Sequence, residues 1–367
     1  MVGSSAHRAM LLHGLRFDID ANPNSVLWAR RYIPQDSVSG PLRGSRAISE
    51  RICNEMEALV TEIYGGCTAP AVDRTTFRTD THREVRTLFR GRLGSAFIPA
   101  HDGPIVFRSA DQIELWMSDQ TSDSDRHVLR LMRETTLRAL EVARCVSLHA
   151  AAVTLRDRGI LIVGPSGAGK TSLLVAFLLA GSAFVCNDRA ILTPDARDVL
   201  TLPLPVRVGV GTAVSVPQLL ELIKVGRFHR RQEIAWDCIS GASGTETDHW
   251  RSGRKFELSP VELCDTFRCP YVTNAPIHAI IVPSISRHPC APHLEPIATS
   301  DAMRILGTEC CTPNDPTWKE PWVEPRPEEP NPAVTLAALT NRIPTFRLSF
   351  GTDWCQVLPS FVQSWSM

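Results

Sequence analysis

The chain reads as an α/β protein, a P-loop nucleotide-binding domain preceded by an α+β module, and three adjacent features predict it. Residues 158–163 (RGILIV) are an apolar run of strand length. Gly164-Pro165-Ser166-Gly167-Ala168-Gly169-Lys170-Thr171 then fits G-x-x-x-x-G-K-[ST], the phosphate-binding loop. Residues 172–180 (SLLVAFLLA) follow as a helix. Glycines at a strand-to-helix turn let the backbone fold back with its N–H groups inward, and the helix N-terminus adds partial positive charge there. Context of this kind turns a pattern match into a phosphate cradle.

Residues 1–122 are expected to form the module. Residues 15–19 (LRFDI) alternate like an edge strand. Ile48, Ile52, Met56, Leu59, Val60 and Ile63 fall on one helix face, which Gly65-Gly66 would close. Residues 84–89 read as a strand, and 103–107 with 113–117 as a hairpin around 108–111. Nothing here carries chemical spacing, so the module is assigned to packing or substrate docking.

The second domain is expected to span 123–312. An amphipathic helix over 123–145 opens it and leads into a strand at 146–153. The turn at 156–159 folds that strand against 158–163 as a hairpin. Most P-loop folds instead surround the first strand with parallel crossovers, so this hairpin narrows the fold. Beyond the helix, 183–186 (AFVC) is a short strand ending in Asn187-Asp188-Arg189. Short apolar runs and Pro/Gly turns occupy 190–240, and 240–247 (SGASGTET) reads as a flexible loop. Residues 256–263 lead into a short helix, and 277–283 (IHAIIVP) form a buried strand. Seven prolines between 313 and 332 mark an extended loop. Residues 333–367 are expected to pack on the second domain as a helix and a last strand at 346–350.

Composition excludes several classes. Lys plus Arg and Asp plus Glu are both 39, so no basic surface points to nucleic acid or an anionic membrane. Eleven cysteines, an odd number without a C-x-x-C pair, argue against a disulfide framework or zinc site and for a reducing, cytoplasmic compartment. The longest apolar run, 173–186, is shorter than the roughly 18 residues a membrane span needs and is broken at Gly181-Ser182. No membrane segment is expected.

The chemistry-bearing residues follow from the loop. Gly164, Ser166, Gly167, Ala168, Gly169, Lys170, Thr171 and Ser172 form the expected nucleotide-binding set, for ATP or GTP. Lys170 would reach the β- and γ-phosphates, and the Thr171 hydroxyl would ligate Mg²⁺. A P-loop needs an acidic partner, and 277–283 ends without one. Asp188 ends a short apolar run 18 residues after Lys170, one helix plus one strand later. It is the candidate metal ligand or general base. His149 lies in an otherwise apolar strand, where spacing alone favours a core residue over a catalytic one. Arg251, Arg254 and Lys255, after the flexible loop, could neutralise phosphate charge or be ordinary surface.

Leu148-His149-Ala150, residues 164–171, the helix ending at Gly181, and Phe184-Val185-Cys186-Asn187-Asp188-Arg189 together resemble the C-terminal domain of HPr kinase/phosphorylase. They look still more like the HPr-kinase-related proteins of ribosomal-peptide gene clusters, including lasso-peptide precursor kinases. The resemblance covers roughly 125–285 and is strongest over 146–192. It implies a PEP-carboxykinase-like nucleotide fold, phosphoryl transfer from ATP to a serine-type hydroxyl, and often a homo-oligomer. It also implies that His149, Asn187 and Asp188 sit around the γ-phosphate. Two departures stand out. The family's kinases commonly have Asp-Asp where this chain has Asn187-Asp188, and an amide cannot accept a proton at neutral pH. The bifunctional enzyme's acidic Gly-rich signature has no counterpart, since residues 204–211 carry no carboxylate. Neither a phosphorylase reaction nor HPr as substrate is therefore expected. Asp188 or His149 remains the base, and the acceptor a peptide or small-molecule hydroxyl, a free amino acid or nucleoside among the latter. A non-catalytic, nucleotide-gated partner protein is the rival class.

Overall fold

A computed structural model describes residues 6–33, 40–52, 76–78, 84–91, 94–99, 105–109, 112–117, 124–225, 255–312 and 331–365. They divide into two compact units, one ending at Ala143 and the other beginning at Arg144. The helix expected to open the second domain thus closes the first unit.

In the first unit, β1 (Ala6–Leu12), β2 (Leu15–Ala21), β3 (Ser45–Ile52), β4 (Thr76–Arg78), β5 (Glu84–Gly91), β6 (Gly94–Pro99), β7 (Ile105–Ser109) and β8 (Gln112–Met117) share one sheet. Their order is β1-β2-β3-β8-β7-β6-β5-β4. The expected β7–β8 hairpin is present. β2 is not an edge strand, because β1 pairs with it antiparallel and β3 parallel. Ile48 and Ile52 lie in β3 rather than on a helix; pairing with β2 on one side and β8 on the other overrides their helical spacing. The remainder of that expected helix, 53–63, lies outside the described residues. Two helices complete the unit, α1 (Pro23–Arg30) and α2 (His127–Val142). Asn22 caps α1, its Oδ1 accepting from Asn24 N at 2.9 Å.

The second unit starts with β9 (Val146–Leu148) and β10 (Ala150–Leu155), so the single strand expected at 146–153 is broken at His149. β10 turns through Arg156 and Asp157, both at positive φ (52° and 62°), into β11 (Arg158–Val163). Two left-handed residues make the tight turn that suits a twisted hairpin. After β11 come α3 (Lys170–Leu179), β12 (Ala183–Cys186), β13 (Ala190–Leu192) and β14 (Asp198–Thr201). A two-stranded ribbon of β15 (Val206–Gly209) and β16 (Lys255–Leu258) flanks α4 (Val210–Val214) and α5 (Pro217–Val225) in the chain. The expected short helix is α6 (Pro260–Phe267), started by a capping box between Ser259 and Glu262. The chain then runs through β17 (Asn274–Ile285), β18 (His293–Pro296), α7 (Thr299–Thr308), α8 (Pro332–Arg342), β19 (Thr345–Phe350) and α9 (Trp354–Ser364). The proline-rich stretch lies outside the described residues except for Asn331 and Pro332. Pro359 sits inside α9, a helix the sequence reading did not separate.

β17 organises this unit. Its first residues pair antiparallel with β14, its middle pairs parallel with β11, and its end pairs parallel with β19. β11 therefore has one antiparallel neighbour, β10, and one parallel neighbour, β17. Both faces of the hairpin are buried. Ala151, Val153, Ile160 and Ile162 meet α3 and α9, while Ala150, Ala152, Leu161 and Val163 face the layer holding Leu306, Leu336 and Leu339. Period-2 alternation thus separates two cores instead of core from solvent. α3 is buried from Leu173 through Leu178, as a helix enclosed on all sides must be.

Candidate active site

Strand register delivers the site residues to one edge. Ala150 pairs with Val163 across the hairpin, so His149 comes level with Gly164, where the loop begins. On the other side of β10, Ala152 pairs with Cys186, and further back Leu148 of β9 pairs with Ala190 of β13. Segments 146–154 and 183–192 thus run antiparallel and break together, His149 in one opposite Asn187-Asp188-Arg189 in the other. Asp188 takes a left-handed backbone, φ 69°, which an Asp tolerates better than most residues.

The result is a short polar chain. His149 Nε2 lies 3.3 Å from Asp188 Oδ1, and His149 Nδ1 lies 3.0 Å from Glu309 Oε2. His149 and Asp188 side chains are 36% and 37% exposed, that of Glu309 only 9%. The hydrogen bond to His149 holds the Asp188 carboxyl below its ordinary range against the opposing effect of burial, and the charges of His149, Arg207 and Lys255 add to it. Asn187, by contrast, is 5% exposed and points to the protein interior side of the break.

The loop between β11 and α3 closes with Ala168 N donating to Pro165 O at 3.2 Å, and Leu173 N donates to Gly169 O at 2.9 Å to start the helix. Gly169 is the helix N-cap at φ 99°, and a Cβ there would stand 3.0 Å from Phe350 Cζ. Only glycine fits both constraints. Lys170 Nζ donates to Gly164 O and, at 3.2 Å, to Pro165 O. Burial pulls the Lys170 ammonium below its ordinary pKa, while the charges of Glu309 and Asp188 oppose that shift.

Of the remaining sequence candidates, Gly164, Ser166, Gly167, Ala168 and Thr171 lie on the loop and first turn. Ser172 does not join them in aim: it is buried, and its Oγ meets Thr212 Oγ1 at 2.8 Å. One residue after Thr171, the helix has rotated about 100°, so the next side chain faces the core instead of the loop. Lys255 begins β16 and acts on both Asp188 and Lys170; Arg251 and Arg254 lie outside the described residues. Two site residues escaped sequence reasoning. Arg207 sits on β15, where it bonds Glu257 at 3.2 Å, in a stretch noted only for lacking carboxylates. Glu309 carries no motif at all. Its separation of 160 residues from His149 leaves no local pattern to find.

Among the described residues no group of three or more His, Cys, Asp or Glu is arranged to hold a metal, and no helix is long and apolar enough to cross a membrane. Cys145, Cys186, Cys264, Cys269, Cys290 and Cys310 are free thiols.

This geometry defines a mixed α/β protein with a glycine-rich strand-to-helix loop facing a histidine–carboxylate cluster. No family model and no curated protein matches the chain. Among solved structures, the Hpr(Ser) kinase/phosphatase from Coxiella burnetii is similar over 59% of this chain and 91% of that one, at 13% identity and a TM-score of 0.24. So loose an overlay carries no argument about chemistry, which has to come from this chain's own residues.

Proposed function

We propose that the protein is a phosphotransferase that moves the γ-phosphoryl group of ATP or GTP to a hydroxyl acceptor. The observation that carries the reading is strand register, which brings His149 level with Gly164 at the start of the Lys170 loop, with Asp188 3.3 Å from the His149 ring. A loop that only bound nucleotide would not need a proton acceptor beside it; transfer to a hydroxyl does.

The residues fit a nucleotide with Mg²⁺. Gly169 and Gly167 hold left-handed backbone, φ 99° and 83°, so the loop can wrap closely around phosphate oxygens. Thr171 and Asp188 offer the oxygen donors that a hard cation prefers, and Mg²⁺ keeps several waters and phosphate oxygens, so no cage of protein carboxylates is required. When bound, the ion would neutralise charge on the transferring phosphate.

In the proposed reaction Lys170 exchanges its bonds to Gly164 O and Pro165 O for phosphate oxygens, a stronger, charge-assisted pairing. Lys255 and Arg207 add positive potential beside Asp188. The acceptor hydroxyl gives its proton to the Asp188–His149 edge, its oxygen bonds the γ-phosphorus, and the bond from phosphorus to the leaving diphosphate oxygen breaks. Asn187, buried and unable to take a proton, leaves Asp188 Oδ1 and His149 Nε2 as the two bases.

The resemblance read from the sequence makes a serine-type hydroxyl of a ribosomally made peptide the first acceptor to try, with free amino acids and nucleosides next. The test is intact-mass measurement of candidate peptides after incubation with enzyme, Mg²⁺ and ATP, beside assays of nucleotide consumption with small hydroxyl compounds. A gain of one phosphate identifies the acceptor. Nucleotide that binds but is never consumed with any acceptor would replace this reading with that of a nucleotide-gated binding protein.

A further inference from the structure

We infer that Glu309 is the positioning residue of this site: it grips His149 through Nδ1 and so aims Nε2 at Asp188 and the acceptor hydroxyl. The inference rests on the phosphotransferase reading for its catalytic consequence, though not for its geometry.

Glu309 is the residue that ends α7, and the chain after it is zipped onto the broken strand. His149 N donates to Glu309 O at 2.8 Å, Cys311 N donates to Ser147 O at 2.8 Å, and Ser147 N donates to Thr312 Oγ1 at 3.2 Å. Leu148 and Cys310 form a β-bridge between these bonds. Backbone pairing on both sides of Leu148 therefore fixes where the Glu309 side chain starts. His149 is held by Glu309 twice, at its backbone N–H and at its ring.

Burial supplies the second argument. At 9% exposure the Glu309 side chain has given up most of its water, whereas His149 and Asp188 keep about a third of their surface. A carboxylate withdrawn this far is tolerated when a donor meets it, and the ring nitrogen at 3.0 Å does so. A carboxylate oxygen only accepts, so Nδ1 must be the donor. The shorter contact to the more buried carboxylate fixes the ring's orientation, with Nδ1 on Glu309 and Nε2 3.3 Å from Asp188 Oδ1. An acting group, an imidazole and a buried orienting carboxylate in line is the arrangement by which an imidazole is kept in one ring orientation. Of the other charged groups near the cluster, Lys255 and Arg207 act on Asp188, and Lys170 feels the charge of Glu309 as well as that of Asp188; Glu309 is the carboxylate at Nδ1.

A plain structural staple would use the same bonds, so the test must separate positioning from stability. Glu309→Ala should lower kcat on the order of 100-fold while the nucleotide KM stays within about twofold, the mark of an effect on the proton-accepting edge. Glu309→Gln, whose amide oxygen still accepts from Nδ1–H, should recover most of that loss. In a His149→Gln background, removing Glu309 should cost nothing further, because both act through one ring. Independently of activity, ¹⁵N-histidine NMR of the full chain reads the ring N–H groups, with His149 assigned by its loss in His149→Gln. The wild type should show a hydrogen-bonded Nδ1–H, and Glu309→Ala should lose that signal. An unchanged Nδ1–H signal in Glu309→Ala, or equal losses in the Ala and Gln variants with falling Tm, overturns the inference and leaves a staple. If the wild type transfers no phosphoryl group, the phosphotransferase reading fails alone, and the NMR still decides whether Glu309 sets the ring.

Discussion

The two halves of the site are built in opposite ways. The half proposed to face phosphate, residues 164–171, is contiguous, and apart from Phe350 against Gly169 its properties come from neighbours in the chain: glycines at positive φ, a strand behind and a helix ahead. The half proposed to accept the proton has no contiguous piece. His149, Asp188 and Glu309 come from three segments and meet because two strands break at the same level and a third segment is zipped beside them. The difference teaches where each half should be fragile. The loop should fail through its own residues, the cluster through whatever disturbs the register that assembles it.

Lys170→Ala should give the largest effect, a loss of transfer of about 10³-fold or more, since it removes the charge on the transferring phosphate. Turnover near the wild-type rate would move the active site away from this loop. Asp188→Asn should lower kcat by roughly 10²–10³-fold with little change in nucleotide affinity or fold, because Asn also accepts a left-handed backbone. Equal loss of binding and turnover would instead make Asp188 part of the phosphate half.

Stability effects come next. Leu174→Ala, in the fully buried helix behind the loop, should destabilise by about 2–5 kcal/mol in urea unfolding. Gly169→Ala should cost about 1–3 kcal/mol, from the positive φ and the approach of Phe350, and should weaken nucleotide binding as well. A Gly169→Ala protein with wild-type affinity would show that the loop is less constrained by its own backbone than its conformation suggests.

The smallest effect concerns pH. Asp188 is held below the ordinary carboxylate range when folded, so its stabilising contribution is present above its unfolded pKa of roughly 4 and is lost as pH falls through the lower folded value. The stability difference between wild type and Asp188→Asn should therefore shrink on acidification below about pH 4. It should be small throughout, because the side chain is 37% exposed and solvent screens the pair. A difference that grew on acidification would mean that His149 is not the partner holding Asp188.

Legibility in the sequence followed the same division. The hairpin before the loop, the strand β11 and the helix α3 could be read because their signals, apolar runs bounded by turn residues, are local. Ile48 and Ile52 misled, since a helical spacing of apolar residues also occurs in a strand when two neighbours cover it; the pairing with β2 and β8 is not written near either residue. The same blindness made β2 look like an edge and hid the break at His149, where two partner strands in different parts of the sheet claim the two pieces.

By itself, then, the sequence determined a glycine-rich turn between a buried strand and a buried helix, with a lysine and a threonine at the helix start, because backbone conformation and helix initiation are decided over a few residues. Tertiary structure decided which polar groups face that turn. Whether His149 lay in the core or at a partly exposed break beside Asp188 depended on which strands pair with β9 and β10, and whether it had a second carboxylate depended on α7 ending against β9, 160 residues away. Such choices are made by strand pairing and burial, which couple positions at any separation and leave no spacing in the chain to read.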